Sequence, residues 1–112
     1  MARVVEWSSE ATADVVGLAE YIEQRSPQNA RSVVRAIQTA ALGLPSFPYS
    51  HRMVPEWNDP DRRETFVHRW RLMSRILPDR IRIVGVIHGS RLLDNFEGRS
   101  FEETAQVEYM AP

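Results

Sequence analysis

The chain has 112 residues, with 14 basic against 15 acidic side chains and a formal net charge of −1. It contains no cysteine, which excludes disulfide frameworks, thiolate zinc sites and cysteine nucleophiles. This length predicts one domain over residues 1–112, and 43% hydrophobic with 26% charged residues is typical of a globular protein. No signal-peptide pattern opens the chain and no stretch approaches about 18 apolar residues, so we expect a cytoplasmic protein without membrane contact.

The positive charge is unevenly distributed along the chain. All 14 basic residues are Arg, and residues 62–91 hold eight of them against two acidic residues, a net charge of +6. Residues 1–61 and 92–112 carry net charges of −3 and −4. A local positive field attracts nucleic acid and acidic proteins alike, so both are candidate partners.

The first half of the chain predicts a strand followed by a helical hairpin. Residues 3–7 are β-branched and aromatic, which is typical of a strand, and the Ser pair after them suits a helix N-cap. Apolar residues at 4, 3, 4 spacing predict a helix over about 9–25. Ser26-Pro27 predicts the start of a second helix, which Gly43 and Pro45 end.

The second half predicts an antiparallel sheet. A Pro-rich loop over 45–61, with a short strand near 52–54, precedes three β-like segments at 63–69, 70–77 and 81–88. Neighbouring strands of this kind pair antiparallel. The predicted fold class is therefore α+β: an N-terminal strand and helical hairpin packed on an antiparallel β-sheet, with a core over about 3–92.

Period-2 alternation assigns the side chains of this sheet to two faces. In the last strand, Ile81, Ile83, Gly85 and Ile87 alternate with Arg82, Val84, Val86 and His88. The strand before it places Arg71 and Arg75 opposite an apolar row. We therefore expect an apolar face against the helices and an exposed face of arginines.

The acidic extension 93–112 follows the predicted core. Ser100-x-x-Glu103 matches a capping box, so a short helix over about 101–109 or a tail is expected.

Two residues outside the arginines have candidate chemistry. His88 precedes Gly89 at a strand end, where it would act as a proton donor or acceptor, although a hydrogen-bonding strand cap is the simpler interpretation. Glu56 follows Pro55, which would orient its carboxylate, although a loop Glu is usually only solvated. The three histidines match no zinc spacing, so we predict no metal site and no cofactor.

The order of elements and several short stretches together resemble the RelE/ParE superfamily of toxins from bacterial type II toxin–antitoxin systems. The stretches that carry the resemblance are Val54-Pro55-Glu56, Arg63-Glu64, Arg71-Leu72-x-x-Arg75-Ile76 and Val86-Ile87-His88-Gly89-Ser90-Arg91. The His-Gly-x-Arg ending is most similar to the ParE branch. The absence of Lys counts against a RelE-like catalytic set.

The resemblance implies a growth-inhibiting toxin that a cognate antitoxin neutralises, with a toxin–antitoxin hetero-oligomer as the expected assembly. In the ParE branch the target is DNA gyrase, which is poisoned through protein contact. On this hypothesis the partner-binding residues are Arg71, Arg75, Arg82 and Arg91.

Two alternatives stay open on the same fold. In a ribosome-dependent endoribonuclease of the RelE/YoeB type, which cuts mRNA without a metal, Glu56 would be the base, Arg71 and Arg75 would stabilise charge, and His88 would be the acid. The second alternative is a non-toxic regulatory binding protein. The candidate targets are therefore gyrase under the ParE hypothesis and the ribosome with mRNA under the endoribonuclease hypothesis.

Overall fold

The structure is a computed structural model that describes residues 3–89. The helices and strands in these residues are β1 (Val4–Trp7), α1 (Ser9–Glu23), α2 (Pro27–Gly43), β2 (Arg52–Met53), β3 (Arg62–Val67), β4 (Trp70–Ile76) and β5 (Arg80–His88). Two short 3-10 turns, Leu44–Ser46 and Pro48–Ser50, connect α2 to β2. The predicted helix over about 101–109 lies outside the described residues.

Serine side chains begin both helices, as the sequence predicts. The Ser8 hydroxyl accepts a hydrogen bond from the Ala11 amide at 3.0 Å, and the Ser26 hydroxyl accepts one from the Asn29 amide at 3.1 Å. Each bond satisfies an amide that the first helical turn leaves without a partner. Helix α1 ends at Glu23, two residues before the predicted end.

The strands form one sheet in the order β1-β5-β4-β3-β2. Strands β2 to β5 pair antiparallel, which confirms the prediction for the second half of the chain. Strand β1 pairs parallel with β5 at the sheet edge, a position that the sequence did not predict. The fold is therefore α+β, with two helices packed on a five-stranded, mostly antiparallel sheet.

The two faces of the sheet are covered differently. One face packs against α1 and α2, and its core includes Trp7, Leu72 and Ile83, all nearly inaccessible to solvent. The other face carries a smaller apolar cluster of Val54, Met73, Val84 and Ile87, with Trp57 packed against it.

The loop between β2 and β3 is fastened to the sheet at both ends. The Val54 amide donates to the Arg62 carbonyl at 3.0 Å, and the Ile76 amide donates to the Asp61 carbonyl at 2.7 Å. Trp57 of this loop packs on the smaller apolar cluster, so the loop, residues 54–61, lies over the face opposite the helices, which we name the loop-covered face.

A β-bulge makes the predicted alternation of β5 wrong beyond Val84. Met73 pairs with Gly85 and Ser74 with Ile83, so Val84 has no partner residue in β4. An extra residue in one strand reverses the facing of every residue after it. Val86 consequently packs with the helices and Ile87 with the loop-covered face, the reverse of the expectation.

Candidate functional site

Arg71 of β4 is the centre of a buried ion cluster on the loop-covered face. It is 5% exposed. Its guanidinium donates to both carboxylate oxygens of Glu56, with Nη1 3.0 Å from Oε2 and Nη2 2.9 Å from Oε1. It also donates from Nε to Oε1 of the buried Glu64 at 2.8 Å, and Nη2 contacts the same oxygen. One guanidinium is thus neutralised by two carboxylates.

These contacts fix the charge state of Glu56. The hydrogen bond from Arg71 is the main cause that holds the pKa of Glu56 below its ordinary value, against an opposing effect of burial. Donating this hydrogen bond to Glu56 is also the main cause that raises the pKa of Arg71. Because a general base works best with a pKa near the operating pH, an ionised Glu56 bound to Arg71 is a poor proton acceptor.

Further carboxylates pair with the other arginines of the sheet. Glu6 of β1 is fully buried, and its Oε2 lies 3.3 Å from Arg80 Nη1 and 3.5 Å from Arg82 Nε. Asp59, in the covering loop, lies 3.3 Å from Arg62 and 3.9 Å from Arg75. The loop and β1 therefore supply negative charge to an otherwise cationic face.

The predicted exposed face of arginines is wrong for two of its members. Arg71 and Arg82 are each 5% exposed, because loop 54–61 and Glu6 cover and neutralise them. Arg75 is partly buried, and Arg91 lies outside the described residues. The sequence does contain a signal for this burial of arginines, namely an acidic residue inside a β-like segment, as at Glu6 of β1 and Glu64 of β3. A charge in a buried strand needs a partner of opposite charge.

His88 lies on the helix-packed face, at the end of β5. It pairs across the strands with Trp70, and the two rings meet edge to face with centroids 5.4 Å apart. Both line a cavity of about 570 Å³ between the helices and the β3–β4 turn. The other residues that line it are Tyr21, Ile22, Asn29, Ser32, Val33, His68 and Arg69.

The three candidate catalytic residues do not converge. Glu56 and Arg71 are in direct contact on the loop-covered face, whereas His88 lies on the helix-packed face beside Trp70. The bulge at Val84 causes this separation, because it reverses the facing of His88 relative to Arg82. A base and an acid on opposite faces of a sheet cannot act on one phosphate group.

Residues 3–89 contain no cluster of His, Cys, Asp and Glu that could hold a metal ion. In the same part of the chain, neither α-helix is long and apolar enough to cross a membrane.

Comparison with known proteins decides the family. Residues 5–93 match the model of the ParE toxin of type II toxin–antitoxin systems, parDE. The chain belongs to the ParE toxin family. A solved structure described as the chromosomal ParDE toxin–antitoxin system from P. aeruginosa has a similar fold, with a TM-score of 0.65 and 18% sequence identity over 78% of this chain and 96% of that one. No curated protein matches the sequence.

Family membership confirms three predictions made from the sequence. The chain is a ParE-like type II toxin, it is part of a toxin–antitoxin system, and its α+β fold is that of the ParDE neighbour. A cognate antitoxin is accordingly its partner.

Proposed function

We propose that this ParE toxin inhibits growth in the cytoplasm by binding DNA gyrase and poisoning it through protein contact, without catalysis of its own. ParE-like identity supports gyrase as the target. The observation that carries the non-catalytic part is the clamp of Glu56 and Glu64 on Arg71, which occupies the guanidinium donors that a nuclease would direct at phosphate.

The endoribonuclease alternative has less support from the geometry. It needs Glu56 as an accessible base, Arg71 as a charge stabiliser and His88 as an acid around one ribose-phosphate group. Glu56 and Arg71 neutralise each other instead, and His88 lies across the sheet. The regulatory alternative has no observation in its favour.

The purified toxin is expected to inhibit plasmid supercoiling by gyrase and to increase the cleaved-DNA fraction. After induction in cells, DNA damage and arrest of replication should precede arrest of translation. Normal supercoiling together with early translation arrest and cut mRNA would contradict the proposal and support the endoribonuclease.

Two single variants separate binding from catalysis. Glu56→Gln and His88→Ala each remove one group that the nuclease mechanism needs, so we expect both to retain gyrase inhibition. Circular dichroism before the assay establishes that each variant is folded. A loss of toxicity in a folded His88→Ala protein, with gyrase binding intact, would argue for catalysis.

The partner-binding role of the sheet arginines stays a prediction. Arg75 is the best candidate among them, because Arg71 and Arg82 are buried. Co-purification of the toxin with its antitoxin, comparing Arg75→Gln with wild type, tests this role.

A further inference from the structure

Four exposed arginines lie outside the ion clusters of the sheet. They are Arg25, Arg31, Arg35 and Arg69. Their guanidinium groups form no hydrogen bond or ion pair with any other residue of the described range 3–89. Six arginines of β2 to β5, by contrast, each have a carboxylate within 4.0 Å: Arg52, Arg62, Arg71, Arg75, Arg80 and Arg82. Arg63 of β3 and Arg3 have no carboxylate partner either, but their guanidinium groups donate to main-chain carbonyls. The arginines of residues 3–89 whose guanidinium groups are left to solvent therefore lie on the helical hairpin and the β3–β4 turn.

Helix α2 displays part of this charge in a regular row. Arg31 and Arg35 are one turn apart, and the two line a groove of about 500 Å³ together with Gln28, Ser32 and Ala36. Between Gln24 and Pro55 the sequence contains no acidic residue. Glu23, at the end of α1, borders the same helix face but pairs with neither arginine.

The β3–β4 turn extends this row towards the sheet. Ser32 lines both the α2 groove and the cavity that His68, Arg69 and His88 line, so the two concave regions adjoin at this residue. No carboxylate contributes to that cavity among the described residues. We define the α2 basic surface as Arg31, Ser32, Arg35, His68 and Arg69.

We propose that the α2 basic surface binds the phosphate backbone of duplex DNA. Four residues of helix advance about 6 Å, which is close to two steps of about 3.4 Å along one DNA strand, so Arg31 and Arg35 match a phosphate and the second phosphate after it. Arg, Ser and Gln side chains are among the groups that contact phosphate oxygens without reading sequence. Protein interfaces usually concentrate their binding energy in large anchors such as Trp and Tyr. The exposed side chain between Arg31 and Arg35 is the small Ser32, and the aromatic Tyr21 and Trp70 line the neighbouring cavity rather than this row.

The role of this surface in toxicity rests on the proposed function. Gyrase holds DNA while it acts, so a toxin bound beside the enzyme would contact that DNA through Arg31, Arg35 and Arg69. The DNA affinity of the free toxin can be measured without gyrase, which keeps the two proposals separable.

The test measures binding of the full chain to a labelled 20-base-pair duplex by fluorescence anisotropy across a salt series. We expect a dissociation constant of about 10⁻⁴ to 10⁻⁶ M for wild type, and a change in log–log salt slope of roughly 0.9 for each phosphate contact removed. The Arg31→Gln/Arg35→Gln variant should therefore reduce the slope by about 1.8 and weaken binding by roughly 60-fold at 0.1 M salt. Arg69→Gln should reduce the slope by about 0.9.

Arg52→Gln is the matched control. Arg52 is exposed, with 62% side-chain accessibility, but it pairs with Glu64 at the loop-covered face. We expect this variant to leave the salt slope unchanged, although it removes the same charge from the protein. Equal effects of Arg52→Gln and Arg69→Gln, which each remove one positive charge, would overturn the proposal. Tighter binding of a poly-aspartate peptide than of the duplex would overturn it as well, because it would indicate an acidic protein partner.

A parallel supercoiling assay distinguishes the two proposals. Inhibition of gyrase by wild type, together with unchanged DNA binding by Arg31→Gln/Arg35→Gln, would refute the DNA surface and leave the proposed function standing. The opposite outcome is a wild-type toxin that binds DNA but does not inhibit gyrase, with a double variant that no longer binds DNA. That outcome would refute the gyrase proposal and support the DNA-binding surface.

Discussion

Replacement of Arg71 by Met tests the buried ion cluster most directly. The change removes a guanidinium that donates to Glu56 and Glu64 but keeps a side chain of comparable length beside the apolar cluster of Met73 and Ile87. Glu56 is 40% exposed at its side chain and can turn to solvent. The side chain of Glu64 is 1% exposed, so it would be left as a buried charge with Arg52 as its remaining partner.

The magnitude follows from that buried charge. Breaking a buried ion pair by removing one partner costs about 3–5 kcal/mol. Because Arg52 still pairs with Glu64, we expect a loss near the lower end, about 3 kcal/mol, in the free energy of unfolding. That is a large share of the ~5–15 kcal/mol that stabilises a typical domain.

A second variant separates the cost of the unpaired charge from the loss of packing. In Arg71→Met/Glu64→Leu both buried charges are replaced by apolar groups, and Arg52 is free to extend into water. Such replacements are often neutral or stabilising. We expect the double variant to unfold within about 1 kcal/mol of wild type, and therefore to be more stable than the single variant.

Urea unfolding followed by tryptophan fluorescence measures both values. With a slope of about 1.5 kcal/mol per molar urea, the single variant should shift the midpoint down by roughly 2 M. A single variant within about 1 kcal/mol of wild type would refute the reasoning, because Glu64 would then not depend on Arg71. A double variant no more stable than the single one would refute it equally, because packing rather than charge would explain the loss.

Three further predictions concern single positions. The hydrogen bond from Arg71 lowers the pKa of Glu56 in the folded protein. The stability that ionised Glu56 contributes is therefore present above the ordinary Glu pKa of about 4.3 and is lost as the pH falls through the lowered value. Urea midpoints measured from about pH 7 to pH 3 should show the advantage of wild type over Glu56→Gln shrinking only under acid. His68 has a φ of 55°, which glycine adopts more readily, so His68→Gly should raise the thermal midpoint by an amount equivalent to up to about 1 kcal/mol, and a lower midpoint would contradict this. Ser8→Ala removes the cap on the Ala11 amide and should cost about 1 kcal/mol by calorimetry, whereas Ser8→Asp should restore most of it.

The sequence alone determined the elements whose signals are local. Ser8 and Ser26 cap the helices because a hydroxyl reaches an amide three residues later, and that relation is present in any chain with this order of residues. The antiparallel pairing of β3, β4 and β5 follows from strands joined by short turns. The family resemblance was likewise carried by short stretches of sequence.

Only the tertiary structure decided which charges are available to a partner. The contact between Glu6 and Arg82 joins residues 76 positions apart, and the contact between Glu56 and Arg71 depends on where a Pro-rich loop lies. Neither distance follows from local periodicity. The bulge at Val84 moved His88 to the opposite face, because one extra residue changes the parity of a strand. Burial and pairing thereby neutralise most sheet arginines and leave those of α2 and the β3–β4 turn exposed.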